Sequence, residues 1–146
     1  MSDSATAVAD YARLFARAVG ETSGLTPHPW QAELARDEDC LDRLIRVPTG
    51  LGKTLGVLTT WLWHRGLRDD ARWPRRLVWC LPMRVLVEQV AAEVEGVLER
   101  CGMRWDGAGD HAGKVGVYVI MGGSDAGDWA LYPEHCAVLI GTQDML

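Results

Sequence analysis

Nowhere in this chain do apolar residues run for the ~18 to 20 positions that a membrane-spanning helix requires. The opening residues, Met1 to Ala9, lack the basic start and apolar stretch of a secretory leader. These absences lead to the expectation of a cytoplasmic protein with no membrane partner. No two of the four cysteines, Cys40, Cys80, Cys101 and Cys136, stand at C-x-x-C spacing. A zinc knuckle is therefore not encoded, and the thiols read as structural, with Cys80 expected in the core. The histidines (His28, His64, His111 and His135) are scattered and form no H-E-x-x-H, so a metal-hydrolase centre of that kind is not visible. Positive charge is not in excess either. A formal net charge of -5 argues against coating nucleic acid through bulk charge, while leaving room for a local basic groove. Lysine is nearly absent: Lys53 and Lys114 stand against thirteen arginines. Repeats and low-complexity tracts are missing as well, and no linker divides the chain.

What is present is an alternation of helical and strand-like patterns. Val8, Tyr11, Leu14, Phe15 and Ala18 recur at helical spacing and predict a helix from Thr6 to Val19, stopped by Gly20. Pro29 opens a short helix over Trp30 to Ala35, and Asp37 to Asp39 form an acidic turn. Leu44 to Val47 is a strand candidate, followed by a break at Pro48 to Gly52 and an apolar helix from Lys53 to His64. Leu77 to Leu81 is continuously apolar, as expected of a strand buried on both faces. Arg84 to Arg100 is helical, Cys101 to Gly113 is loop, Val115 to Met121 is a strand, Ser124 to Glu134 is irregular, and Ala137 to Ile140 is a further strand. Trp61, Trp63 and Trp79 fit core positions better than base-stacking ones. The alternation implies an α/β fold with a parallel sheet and helices on both faces.

The strongest local signal is Pro48-Thr49-Gly50-Leu51-Gly52-Lys53-Thr54, placed between a strand pattern and a helix pattern. A triphosphate is a dense anion. Glycines let backbone N–H groups approach it closely. The helix opening at Lys53 adds about +0.5 charge at its N-terminus. Lys53 supplies a compact point charge for the β- and γ-phosphates, and the Thr54 hydroxyl suits Mg²⁺. Thr49, Gly50, Leu51, Gly52, Lys53 and Thr54 are thus the ATP-binding candidates, with Lys53 the catalytic one and Thr54 the metal ligand. The general pattern asks for glycine at position 47, where this chain has Val47.

Upstream, Thr26-Pro27-His28-Pro29-Trp30-Gln31 offers a glutamine whose amide suits the two-sided edge of adenine. Downstream, Leu81-Pro82-Met83-Arg84 leads from a strand into a helix, where Arg84 and the helix amides can seat a backbone phosphate. Gly122-Gly123 and Gly141-Thr142-Gln143 follow the later strands. In this order the segments resemble the first RecA-like lobe of superfamily 2 helicases, which often relax the first P-loop glycine. Arg46 to Thr54 and Val138 to Leu146 are most similar to the CRISPR-associated helicase–nuclease of type I systems, in its type I-U branch.

The resemblance implies an N-terminal helix and lead-in over 1–24. It implies a partial first RecA-like lobe, the helicase ATP-binding domain, over 25–146, truncated before the strand that carries the acidic motif. It implies ATP and Mg²⁺ as cofactors and single-stranded DNA gripped through its backbone by Pro82, Arg84, Gly122, Gly123, Thr142 and Gln143. A CRISPR effector complex is the implied partner, and the function is ATP-dependent unwinding in antiviral defence. The chain alone is expected to bind ATP weakly without turning it over. Two alternatives stand beside this reading: a small self-contained P-loop enzyme such as a kinase, and a non-enzymatic nucleotide sensor.

Overall fold

A computed structural model describes residues 2–122 and 129–146. The chain forms two compact units, Met1–Pro74 and Arg75–Leu146.

The first unit is helical. Helix α1 spans Ser2–Val19. It buries Tyr11, Leu14, Phe15 and Ala18, while Val8, expected on the inner stripe, is exposed. A 3-10 turn, Glu21–Ser23, leads toward α2, Pro29–Arg36. Helix α3 covers Lys53–Trp61 and widens into a π-helical turn at Leu62–Leu67, beyond the expected end at His64. Its buried face carries Leu58, Trp61, Leu62 and Trp63, so these two tryptophans are core residues. Several buried polar groups are tied to their neighbours. The Tyr11 and Thr59 hydroxyls lie 2.9 Å apart. His64 Nε2 meets Ala35 O at 2.8 Å, and its ring stacks on Trp73 at 4.3 Å. The Trp61 indole donates to Pro74 O.

The predicted strand at Leu44 to Val47 does not form. Strand geometry persists only where a neighbour completes the hydrogen-bond ladder. All three described strands belong to the second unit. The segment lines a pocket together with Trp30, Glu33 and Leu34 of α2, and Arg43 just before it pairs with Asp37 at 2.6 Å. Leu44 is 80% exposed.

The second unit is an α/β layer. Strands β1 (Arg76–Leu81), β2 (Val115–Ile120) and β3 (Cys136–Thr142) form a parallel sheet in the order β1-β3-β2. Helix α4, Arg84–Arg100, packs against all three strands. Its buried residues, Val87, Val90, Ala91, Val94, Val97 and Leu98, follow the 3.6-residue period. Central β3 is buried from Ala137 to Gly141. Ile120, Ala137 and Leu139 form one apolar cluster with Tyr118 against it. Strand β1 departs from expectation. It is an edge strand, Val78 is 53% exposed, Trp79 is half-buried, and Cys80 is exposed rather than core. An apolar run reports hydrophobicity but not position in the sheet, and the edge leaves one side of this strand uncovered.

Candidate functional site

The first unit holds the phosphate-loop candidates. Pro48 to Leu51 turn back on themselves, with Leu51 N–H donating to Pro48 O at 3.4 Å. Gly50 has φ 88° and Gly52 φ 72°, the left-handed region that glycine enters freely. Gly52 is the N-cap of α3, and Lys53 is its first residue. The first bond of the helix ladder runs from Gly56 N–H to Gly52 O at 2.8 Å. The amides of Lys53, Thr54 and Leu55 therefore precede the ladder and have no partner within the helix. Lys53 is exposed and Thr54 half-buried. A turn that reverses the chain with two left-handed glycines, then presents a free first turn of helix beside an exposed ammonium, is a chemically competent polyanion seat.

Helix α2 brings Gln31 to this loop. Gln31 is 1% exposed. Its Oε1 accepts from His28 N–H at 2.8 Å, and its Nε2 donates to Gly52 O at 3.0 Å. One donor and one acceptor fix which end of the amide is which. A single N–H and one lone pair remain for any further partner. Next to it, the Trp30 indole N–H donates to Leu51 O at 3.1 Å.

Two glycines make this approach possible. A Cβ on Gly52 would lie 2.6 Å from Gln31 Nε2, and one on Gly56 would lie 2.5 Å from Trp30 Cη2. The sequence motifs give neither Trp30 nor Gly56 a role of its own. The signal for Gly56 is a glycine inside an apolar helix, where it costs about 1 kcal/mol against alanine and implies close packing.

The second unit gathers the nucleic-acid candidates. Leu81 pairs with Thr142 and Ile120 with Gly141, so the three parallel strands end at one edge of the sheet. Pro82, Arg84, Gly122, Thr142 and Gln143 all stand at or just beyond those ends. The carboxyl edge of a parallel sheet is where α/β proteins place ligands. Met83 caps α4 in extended conformation without a side-chain bond. Arg84 Nη2 donates to Gly122 O at 2.8 Å, tying the loop after β1 to the loop after β2. Gln143 is exposed, and Gly123 lies outside the described residues. Asp144, two residues beyond β3, has its carboxyl held below the usual range by the Thr142 side chain and by its own backbone N–H.

Neither a comparison with models of protein families nor one with curated proteins returns a match for this chain. Site chemistry therefore rests on the geometry alone. Among the described residues, no group of three or more His, Cys, Asp or Glu side chains is placed to hold a metal ion, and no helix is long and apolar enough to cross a membrane.

Proposed function

We propose that this chain carries the ATP-binding site of an ATP-dependent helicase or translocase of superfamily 2, in a first RecA-like lobe. The supporting observation is the glycine turn at Gly50 and Gly52 opening into α3 at Lys53. The residues fit a polyphosphate. The amides of Lys53, Thr54 and Leu55, which precede the helix ladder, and the Lys53 ammonium supply donors and charge. The Thr54 hydroxyl would hold Mg²⁺ together with phosphate oxygens. ATP, when bound, supplies a transferable phosphoryl group. Lys53 would then balance negative charge on the β- and γ-phosphates. Gln31 acts first as the tie between α2 and the loop, and its remaining N–H and lone pair are what it has to offer adenine.

In this reading the carboxyl edge of the sheet in the second unit receives single-stranded DNA through its phosphates. Pro82, Arg84, Gly122, Gly123, Thr142 and Gln143 form the contact set, which is sequence-tolerant and salt-sensitive. The likeness of Arg46 to Thr54 and Val138 to Leu146 to type I CRISPR helicase–nucleases supports a role in antiviral defence beside an effector complex. The compartment in this proposal is the cytoplasm.

Titration of a fluorescent ATP analogue with wild type and Lys53→Ala tests the nucleotide site. Binding that is Mg²⁺-dependent in the wild type and lost in the variant is the expected result. Equal binding by both proteins would remove the P-loop from the account.

A further inference from the structure

We infer that Trp30 is a positioning residue for phosphate binding: with Gln31 it fixes two peptide planes of the loop so that the N–H groups of Gly52 and Lys53 face away from α2. This role rests on the proposed nucleotide site and adds a residue and a device to it.

Peptide geometry carries the effect. A trans peptide is planar, and its C=O and the following N–H point in opposite directions. The chain contains no cis peptide among the described residues. The Trp30 indole holds the Leu51 carbonyl toward α2 at 3.1 Å. The Gly52 N–H in the same plane must then point the other way. The Gly52 carbonyl is held twice, by Gly56 N–H at 2.8 Å in the helix ladder and by Gln31 Nε2 at 3.0 Å, so Gln31 reinforces a plane in which the Lys53 N–H points the opposite way. Each side-chain donor thus acts on an amide it does not touch.

Two further observations support the device. Gly56 provides a notch for the indole, because a methyl there would sit 2.5 Å from Trp30 Cη2. Gln31 is itself anchored, since His28 N–H bonds its other end at 2.8 Å. Trp30 and Gln31 are successive residues at the start of one helix, and Leu51 and Gly52 are successive residues of the loop. Two adjacent donors meeting two adjacent carbonyls set the orientation of the whole turn. An anion arriving at such a loop does not have to order it, and this saves affinity otherwise spent on ordering.

The test uses inorganic tripolyphosphate as probe, competing with a fluorescent ATP analogue on the 146-residue chain. Trp30→Phe removes the indole N–H and keeps an aromatic ring. It should weaken tripolyphosphate and ATP by the same factor, about fivefold, the worth of a single hydrogen bond. Gly56→Ala, which fills the notch, should copy that loss, and the double variant should be no weaker than Trp30→Phe alone.

A second measurement needs no variant. In the ¹⁵N-labelled wild type, tripolyphosphate should move the amide protons of Gly52 and Lys53 downfield. Lys53→Ala keeps the two failures apart. If Lys53→Ala loses tripolyphosphate while Trp30→Phe binds it as wild type, the nucleotide site stands and the role of Trp30 is overturned. Unmoved Gly52 and Lys53 amides in a chain that does bind tripolyphosphate overturn it as well. If Lys53→Ala binds like wild type, the nucleotide site itself falls and the role of Trp30 falls with it.

Discussion

Replacing Gly50 and Gly52 separately by alanine measures how far the loop depends on α2. Both positions have positive φ, 88° and 72°. A β-carbon in that region costs about 1 to 2 kcal/mol at each. Their surroundings differ. A Cβ on Gly50 meets nothing within 4 Å, whereas one on Gly52 lands 2.6 Å from Gln31 Nε2. To make room the Gln31 amide must leave Gly52 O, and a buried amide left without its partner costs about 1 to 3 kcal/mol more. Gly52→Ala should therefore lose about 2 to 5 kcal/mol of stability in total. Gly50→Ala should lose only the backbone part.

Urea unfolding followed by tryptophan fluorescence gives both numbers as midpoint shifts at constant slope. A double-mutant cycle sharpens the result: Gln31→Ala removes the obstructed amide, so Gly52→Ala on that background should cost no more than Gly50→Ala does in the wild type. Equal losses for the two glycines in the wild-type background would refute the contact, and with it the claim that α2 shapes the loop.

Other outcomes follow from the same structure. His64 and His135 are each 1% exposed, and burial is the main cause that pushes both below the ordinary value of 6.5. Arg76 and His111 push His135 further in the same direction. The fold holds both rings neutral while the unfolded chain takes up protons. Their contribution is therefore complete above about pH 6.5 and declines as pH falls through the folded-state values. Melting temperature should drop as pH falls below about 6.5, and His135→Gln should flatten that slope; a melting temperature that rises on acidification would contradict the assignment.

Gly141→Ala would place a Cβ 2.4 Å from the Ile120 carbonyl oxygen on the neighbouring strand. Backbone cannot yield there as a flexible side chain can, so a loss of at least about 1 to 3 kcal/mol is expected in the urea midpoint. Arg84→Ala should weaken binding of short single-stranded DNA equally for all sequences and lower the salt slope by about 0.7. A loss confined to particular sequences would mean that Arg84 reads bases instead of phosphates.

Patterns that act over a few residues are legible in the sequence itself. The spacing of Tyr11, Leu14, Phe15 and Ala18 locates the buried stripe of α1. Apolar runs separated by helical patterns predict the three strands of the second unit and their parallel arrangement. A glycine-rich break predicts the helix opening at Lys53. Features decided by a distant partner are not legible in this way. Leu44 to Val47 has the composition of a strand but no ladder to join. Cys80 sits in an apolar run, yet strand order puts that run at the rim of the sheet. The bond from Trp30 to Leu51 spans 21 residues and depends on a helix docking, which no local spacing reveals.

The rim position of β1 has a practical consequence at the bench. Its outer row of amides and carbonyls has no described strand beside it, and an exposed valine and an exposed thiol lie on the same strand. Two molecules meeting along that border gain main-chain pairing, and air oxidation can then lock Cys80 to Cys80. Purified material should stay monodisperse longest when dilute and kept under a thiol reductant, and Cys80→Ser should relax that requirement.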